Sequence, residues 1–297
     1  MKIGYPCINR SVDCTSSSTF RLASYSQERL EATVQSNLNC LERILDYNVE
    51  NGLLFFRISS DIIPFASHPC CDFDWKSCFS AQLLGLGRKI ADADIRISMH
   101  PDQFVVINSL KPVVVQRSIE ELEYHCIFLD SMQLPQSAKI QIHLGGVYGD
   151  KDSALRRFIE VSATLSPNLR RRLVIENDER LYGIEDCLFV HRETGFPVLF
   201  DNFHHQCYGS DRQLEESLLG AAATWGAGDG VPMMDYSSQL RDGRVGSHAT
   251  SIEIEKFATF VTSVVAAGLD PDIMLEIKDK EASALKAVQW MRENNLL

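Results

Sequence analysis

The sequence predicts an α/β fold, a single closed (β/α)8 barrel of the TIM type. Eight short apolar runs, rich in β-branched and aromatic residues, alternate with longer segments of helical periodicity. The alternation runs unbroken through 297 residues, and barrels of this kind commonly use about 250. The loop after the first run, PCINRSVDCTSSSTF, lacks the G-x-G-x-x-G that opens many doubly wound sheets.

The strand candidates, in order, are KIGYP (2–6), LLFFRIS (53–59), DIRISMH (94–100), KIQIHLG (139–145), RLVIEN (172–177), PVLFDN (197–202), VPMMDYS (231–237) and DIMLEIK (272–278). Between them, residues 27–49 set Leu30, Val34, Leu38, Leu41 and Leu45 on one helical face, with Ser26 placed to cap the helix. Residues 112–130 repeat the pattern with Val115, Ile119, Leu122, Cys126 and Leu129, and Pro112 suits a first turn. Further helices are expected over 251–266 and 281–293, with a weaker pattern over 211–224. No linker, low-complexity tract or charge block interrupts the series, so residues 1–297 read as one domain.

Composition excludes some functions. The hydrophobic content of 45% suits a globular core, and no apolar run approaches the ~20 residues of a membrane span. The start, MKIGYPCINRS, has no signal-peptide pattern, so a cytoplasmic protein is expected. The nine cysteines, Cys7, Cys14, Cys40, Cys70, Cys71, Cys78, Cys126, Cys187 and Cys207, include no C-x-x-C pair and are expected to be reduced packing thiols. A net charge of −11 argues against a general nucleic-acid binder. Basic clusters do exist at Arg156-Arg157, Arg170-Arg171-Arg172, Arg241 and Arg244, and read first as solvated helix faces.

Chemistry gathers where the strands end, the functional face of a βα barrel. In order come His100, His143, Glu176, Asp201 with His204 and His205, Asp235 with His248 beyond it, and Glu276. A lone histidine at a strand end is more often a hydrogen-bonded core residue. Here most of the chain's eight histidines fall on this one rim. Converging carboxylates repel one another unless cations intervene. Imidazole and carboxylate donors together suit Mn²⁺, Zn²⁺ or Fe²⁺ better than Ca²⁺. About eight ligands exceed the needs of one ion, so two or three are expected, with Glu176 bridging. His125 and His191 read as packing or surface residues, and His68 as a residue that could line the mouth. Such a centre suits phosphodiester hydrolysis. The rival readings are a metal-dependent sugar isomerase or epimerase on the same barrel, and a binding protein that keeps the pocket without catalysis.

GYPCINR, FRISSDIIPFASHP, SMHPDQF, IHLGGVYGDK, IENDER, FDNFHH and LEIKDKE together resemble the UV damage endonuclease family, from residue 2 to about residue 281. The resemblance implies a xylose-isomerase-like barrel related to the abasic-site endonuclease. It implies a Mn²⁺-supported cut immediately 5′ to a cyclobutane dimer or 6-4 photoproduct, with abasic sites also accepted, leaving a 3′-hydroxyl and a 5′-phosphate. Zn²⁺, Co²⁺ or Mg²⁺ are alternative ions. The family's metal ligands fall on His100, His143, Glu176, Asp201, His204, His248 and Glu276, of which Glu176, Asp201 and Glu276 are the expected catalytic carboxylates. Asp235 stands where a family histidine aligns, and Met233 where some relatives carry lysine. The pair that probes the duplex falls on Gln103 and Phe104, and Tyr5 and Asn9 match residues placed near the lesion. The implied partner is double-stranded DNA carrying UV lesions, bound by a monomer that meets the nucleoid when it acts.

Overall fold

The structure is a computed structural model that describes residues 1–210 and 212–297. Eight parallel strands close on themselves in chain order: β1 (Ile3–Pro6), β2 (Phe55–Ile58), β3 (Arg96–Met99), β4 (Lys139–His143), β5 (Leu173–Glu176), β6 (Val198–Asp201), β7 (Met233–Tyr236) and β8 (Asp272–Leu275). Closure is made by β1 against β8, with Ile3 opposite Ile273 and Gly4 opposite Met274. Each strand lies inside its predicted window. Strands buried on both faces read as continuous apolar runs, which is why they were visible.

The long helices also lie where periodicity put them. Gln27–Asn51 is capped by Ser26, whose side chain accepts from the Arg29 amide at 3.2 Å. Pro112–Ser131 and Glu281–Glu293 match their expected starts. Ile254–Ala266 begins later than expected. The weaker pattern over 211–224 resolves as Leu214–Ala222, and residue 211 lies outside the described residues. Among the described residues, no helix is long and apolar enough to cross a membrane.

Side chains alternate along each strand, one set outward onto the helices and one set into the barrel. The inward set forms three tiers. The middle tier is apolar: Phe55, Val174, Leu199, Met233 and Met274 pack together, with Trp225 against them. Gly4 completes it, because a Cβ there would lie 2.1 Å from the Phe55 carbonyl oxygen. At the N-terminal end of the strands, Lys139 pairs with Asp229 at 2.5 Å and Arg96 with Asp272 at 3.6 Å. Cations and carboxylates match one for one at that end. A cavity of about 1050 Å³ also opens there, away from the face where βα barrels do chemistry.

One expectation about thiols is corrected. Cys14 and Cys40 form a disulfide, with Cα atoms 5.8 Å apart. The loop after β1 folds back on helix Gln27–Asn51 and brings the two within bonding reach, which sequence spacing did not reveal. The other seven cysteines are free.

Candidate metal centre and active site

The upper tier of inward residues is polar. β2 contributes Arg57, β4 Gln141 and His143, β5 Glu176, β6 Asp201 and β7 Asp235, while His100 and Glu276 directly follow β3 and β8. His204 comes from the short helix Asn202–Tyr208, and His248 from the loop after β7. Asp201 positions that helix, since its carboxylate accepts from the His204 amide at 2.6 Å.

Glu176, 1% exposed, is the centre of the constellation. Its Oε2 lies 3.4 Å from His100 Nε2 and 3.6 Å from His143 Nε2, and its Oε1 lies 3.1 Å from His204 Nδ1. Gln141 donates to the same Glu176 Oε2 at 2.6 Å and to Asp235 Oδ2 at 2.7 Å. Three groups each bring their donor atoms within 4.8 Å of one another: His100, His143 and Glu176; Glu176, Asp201 and His204; and Asp201, Asp235 and Glu276. Glu176 and Asp201 each belong to two of the groups, so each could serve two ions.

The ring orientations favour ligation. His100 Nδ1 lies 2.8 Å from the Pro101 carbonyl, and His248 Nδ1 2.8 Å from the Glu276 carbonyl. An N–H donated there leaves each Nε2 as a free lone pair facing a carboxylate, the usual arrangement behind a metal-bound imidazole.

Charge is unbalanced at this end. Glu176, Asp201, Asp235 and Glu276 face one guanidinium, that of Arg57, which donates to Asp235 at 2.6 Å and also to Glu276. Burial pushes Asp201 well above the carboxylate range. Burial and the Glu276 charge, against the pull of Arg57, bring Asp235 up to about 8. Burial opposes ionisation of Glu276 as well, but Arg57 outweighs it and holds it at about 2. Burial disfavours protonated His204, yet the Asp201 and Glu176 carboxylates raise it to about 11. Asp201 Oδ2 and Asp235 Oδ1 are buried without any hydrogen-bond partner among the described residues. Orphaned carboxylate oxygens beside imidazoles fit divalent cations and fit no neutral ligand as well.

The acidic run after β5 divides its labour. Glu176 enters the mouth. Asn177 clamps β6, donating to the Asp201 carbonyl and accepting from the Asp201 amide, both at 3.0 Å. Asp178 turns the loop by accepting the amides of Arg180 and Leu181 at 2.7 and 2.5 Å.

The model for UV-endonuclease UvdE matches residues 1–296. The chain belongs to the UV-endonuclease family. A UV DNA damage endonuclease of Clostridium perfringens (strain 13 / Type A) is 39% identical over 297 residues, spanning 99% of this chain and 72% of the relative. The crystal structure of SacUVDE superposes with a TM-score of 0.95 at 45% identity, covering 100% of both chains. Endonuclease IV from Thermus thermophilus matches at a TM-score of 0.56 and 16% identity, over 85% of this chain and 92% of that one, and shares the fold.

The residues this family resemblance singled out for DNA divide into two sets. Gln103 and Phe104 stand exposed on the loop after β3, and Phe104 is 57% accessible beside His100, His248 and Glu276. Tyr5 and Asn9, expected near the lesion, are both buried and bonded to each other. Gly4 points into the barrel, so Tyr5 must point out, where its hydroxyl donates to Asn48 at 2.6 Å and accepts from Asn9 at 2.7 Å. Asn9 in turn accepts the amides of Ser11 and Val12. The pair fixes the loop after β1. His205, counted with the rim, is buried against Phe200 with ring centroids 5.1 Å apart. His125 and His191 bond backbone carbonyls, as expected of packing residues. His68 lines a cavity of about 740 Å³ that adjoins Phe104. Met233 fills the apolar tier beneath Asp235. Arg172 is a buried clasp on Asp130 and three carbonyls near the strand starts, so that arginine run lies away from the mouth. Arg57 and Gln141 were missed. The available signal was an arginine and a glutamine inside otherwise apolar strands.

Proposed function

We propose that the chain is a DNA repair endonuclease. It hydrolyses the phosphodiester immediately 5′ to UV photoproducts, both cyclobutane pyrimidine dimers and 6-4 photoproducts, and also opens abasic sites. The products are a 3′-hydroxyl and a 5′-phosphate. The observation that carries this reading is the sharing of Glu176 and Asp201 among three donor groups at the barrel mouth of a UV-endonuclease family member.

His100, His143 and Glu176 would hold one divalent ion, Glu176, Asp201 and His204 a second, and Asp201, Asp235 and Glu276 a third, with Mn²⁺ the expected species and His248 a further donor beside Glu276. When bound, such ions supply a lowered pKa for water and neutralise charge on a phosphodiester. The protein's own groups supply position. Gln141 and Arg57 fix the carboxylates of Glu176, Asp235 and Glu276 from below, so the donors need little reorganisation. Glu176, Asp201 and Glu276 are the carboxylates assigned to catalysis. Phe104 offers a stacking face and Gln103 polar groups to a duplex whose pairing a lesion has weakened. Arg180, Arg241 and Arg244 lie on loops of the mouth face, where they offset the net charge locally.

The test is a gel assay on a duplex with one defined thymine dimer, with and without Mn²⁺ after chelation. A single Mn²⁺-dependent nick on the 5′ side of the dimer is expected, and E176Q should abolish it. No nick, or a nick unaffected by chelation, would overturn the assignment.

A further inference from the structure

A cavity of about 650 Å³ opens at the mouth between the ends of β1 and β8. Arg57, His248, Glu276, Cys7, Lys278 and Lys280 are among the residues that line it. Arg57 is committed to Asp235 and Glu276. Lys278 is exposed, while Lys280 is half-buried where it lines the cavity. Among the described residues, the Lys280 ammonium enters no ion pair and no side-chain hydrogen bond. Among the described residues, the buried Lys139 is paired with Asp229 and the partly buried Lys151 with Asp186.

The backbone gives a second, independent observation. Lys280 has φ 56° and ψ −118°, a conformation that glycine adopts freely and other residues adopt at a cost. Its surroundings enforce the geometry. Lys278 and Asp279 donate to the Ala249 and Thr250 carbonyls at 3.1 and 3.0 Å, and Lys280 donates to the Ile277 carbonyl at 3.1 Å. A glycine would meet the same turn without strain. A lysine there is therefore explained by its side chain rather than by the fold. Cys7, which lines the same cavity, also has a positive φ, 67°.

We propose that Lys280 binds a backbone phosphate of the DNA strand that enters the mouth, beside Glu276 and His248. The uncommitted ammonium and the cavity's open side together suit a phosphate oxygen, and partial burial strengthens the attraction relative to an exposed lysine. The inference rests on the nuclease reading above.

K280G tests it, because the substitution removes the charge and relieves the backbone at once. Mn²⁺-loaded protein is assayed by single-turnover nicking of a thymine-dimer duplex across a salt series, giving a half-saturating concentration and a limiting rate. K280G should melt at or above the parent temperature and keep its metal content. Its half-saturating concentration should rise about tenfold, and the slope of log affinity against log salt should become shallower by about 0.9, one lost phosphate contact. K280R should restore most of both. A parental half-saturating concentration and slope in K280G, or a lower melting temperature with an unchanged slope, would overturn the role of Lys280 alone. A parent protein that nicks nothing would overturn the nuclease reading instead.

Discussion

Replacing Arg57 with methionine removes the guanidinium that pairs with Asp235 and Glu276 at the mouth. Arg57 is 3% exposed and holds Asp235 at 2.6 Å, Glu276, and the Gln141 side-chain oxygen at 2.8 Å. Breaking one side of a buried pair costs about 3–5 kcal/mol, because the remaining charge is left without a partner. R57M in EDTA should therefore lose about that much unfolding free energy. Divalent ions should restore part of it. Ions at a hundredfold excess over Kd stabilise a site by about 2.7 kcal/mol, and each tenfold gain in affinity adds about 1.4 kcal/mol. Uncompensated Asp235 and Glu276 should bind cations more tightly in R57M, so Mn²⁺ should raise its stability more than that of the parent. The assay is urea unfolding of both proteins in EDTA and in Mn²⁺. A loss under about 1 kcal/mol in EDTA, or equal Mn²⁺ increments in the two proteins, would refute the charge argument.

Other outcomes follow from the same geometry. His204 is raised to about 11 by Asp201 and Glu176 although burial opposes it, so its stabilising contribution is complete below about pH 6.5 and is lost as pH rises toward 11. Asp235, raised to about 8 by burial and Glu276, binds its proton more tightly folded than unfolded, so stability also falls between about pH 4 and 8. The urea midpoint in EDTA should thus decline from pH 6 to 9, while the Mn²⁺ increment grows because ions and protons compete for the same atoms. A flat or rising midpoint in EDTA contradicts this. F104A should weaken binding to a dimer-containing duplex about tenfold or more without changing metal content, since a stacked base is worth about 1–3 kcal/mol. Equal loss of binding and metal would show that Phe104 supports the fold instead. Reduction of Cys14–Cys40, which are 26 residues apart, should cost about 3.5 kcal/mol by loop entropy, read as a lower urea midpoint in dithiothreitol. No change on reduction would mean the two thiols are not bonded in solution.

The fold was legible because buried parallel strands are apolar on both faces and short, while the helices between them repeat at 3.6 residues. The mouth was legible for a related reason. A strand such as LVIE that ends on an acid puts that acid on the functional face of a barrel. The parity of side chains was the information left unused. Counting alternate positions from Gly4 sends Tyr5 outward to Asn48, and counting from Phe55 sends Arg57 inward to Asp235. The acids were therefore read correctly as converging, while the arginine that partly balances them passed unnoticed. The Cys14–Cys40 bond was illegible for another reason, because pairing depends on where the loop after β1 returns and spacing carries no trace of that. Arg170-Arg171-Arg172 looked like any basic cluster, and only the fold shows that Arg172 is consumed by Asp130 and carbonyls at the far end of the barrel.

Several divalent ions bound among the mouth carboxylates would make the burial of those acids tolerable. Metal analysis of protein stripped with EDTA, reloaded with Mn²⁺ and cleared of free ion measures this directly. Two or three Mn²⁺ per chain, falling by at least one in E176Q, is the expected result. Fewer than one ion per parent chain, or the same content in E176Q, would contradict it.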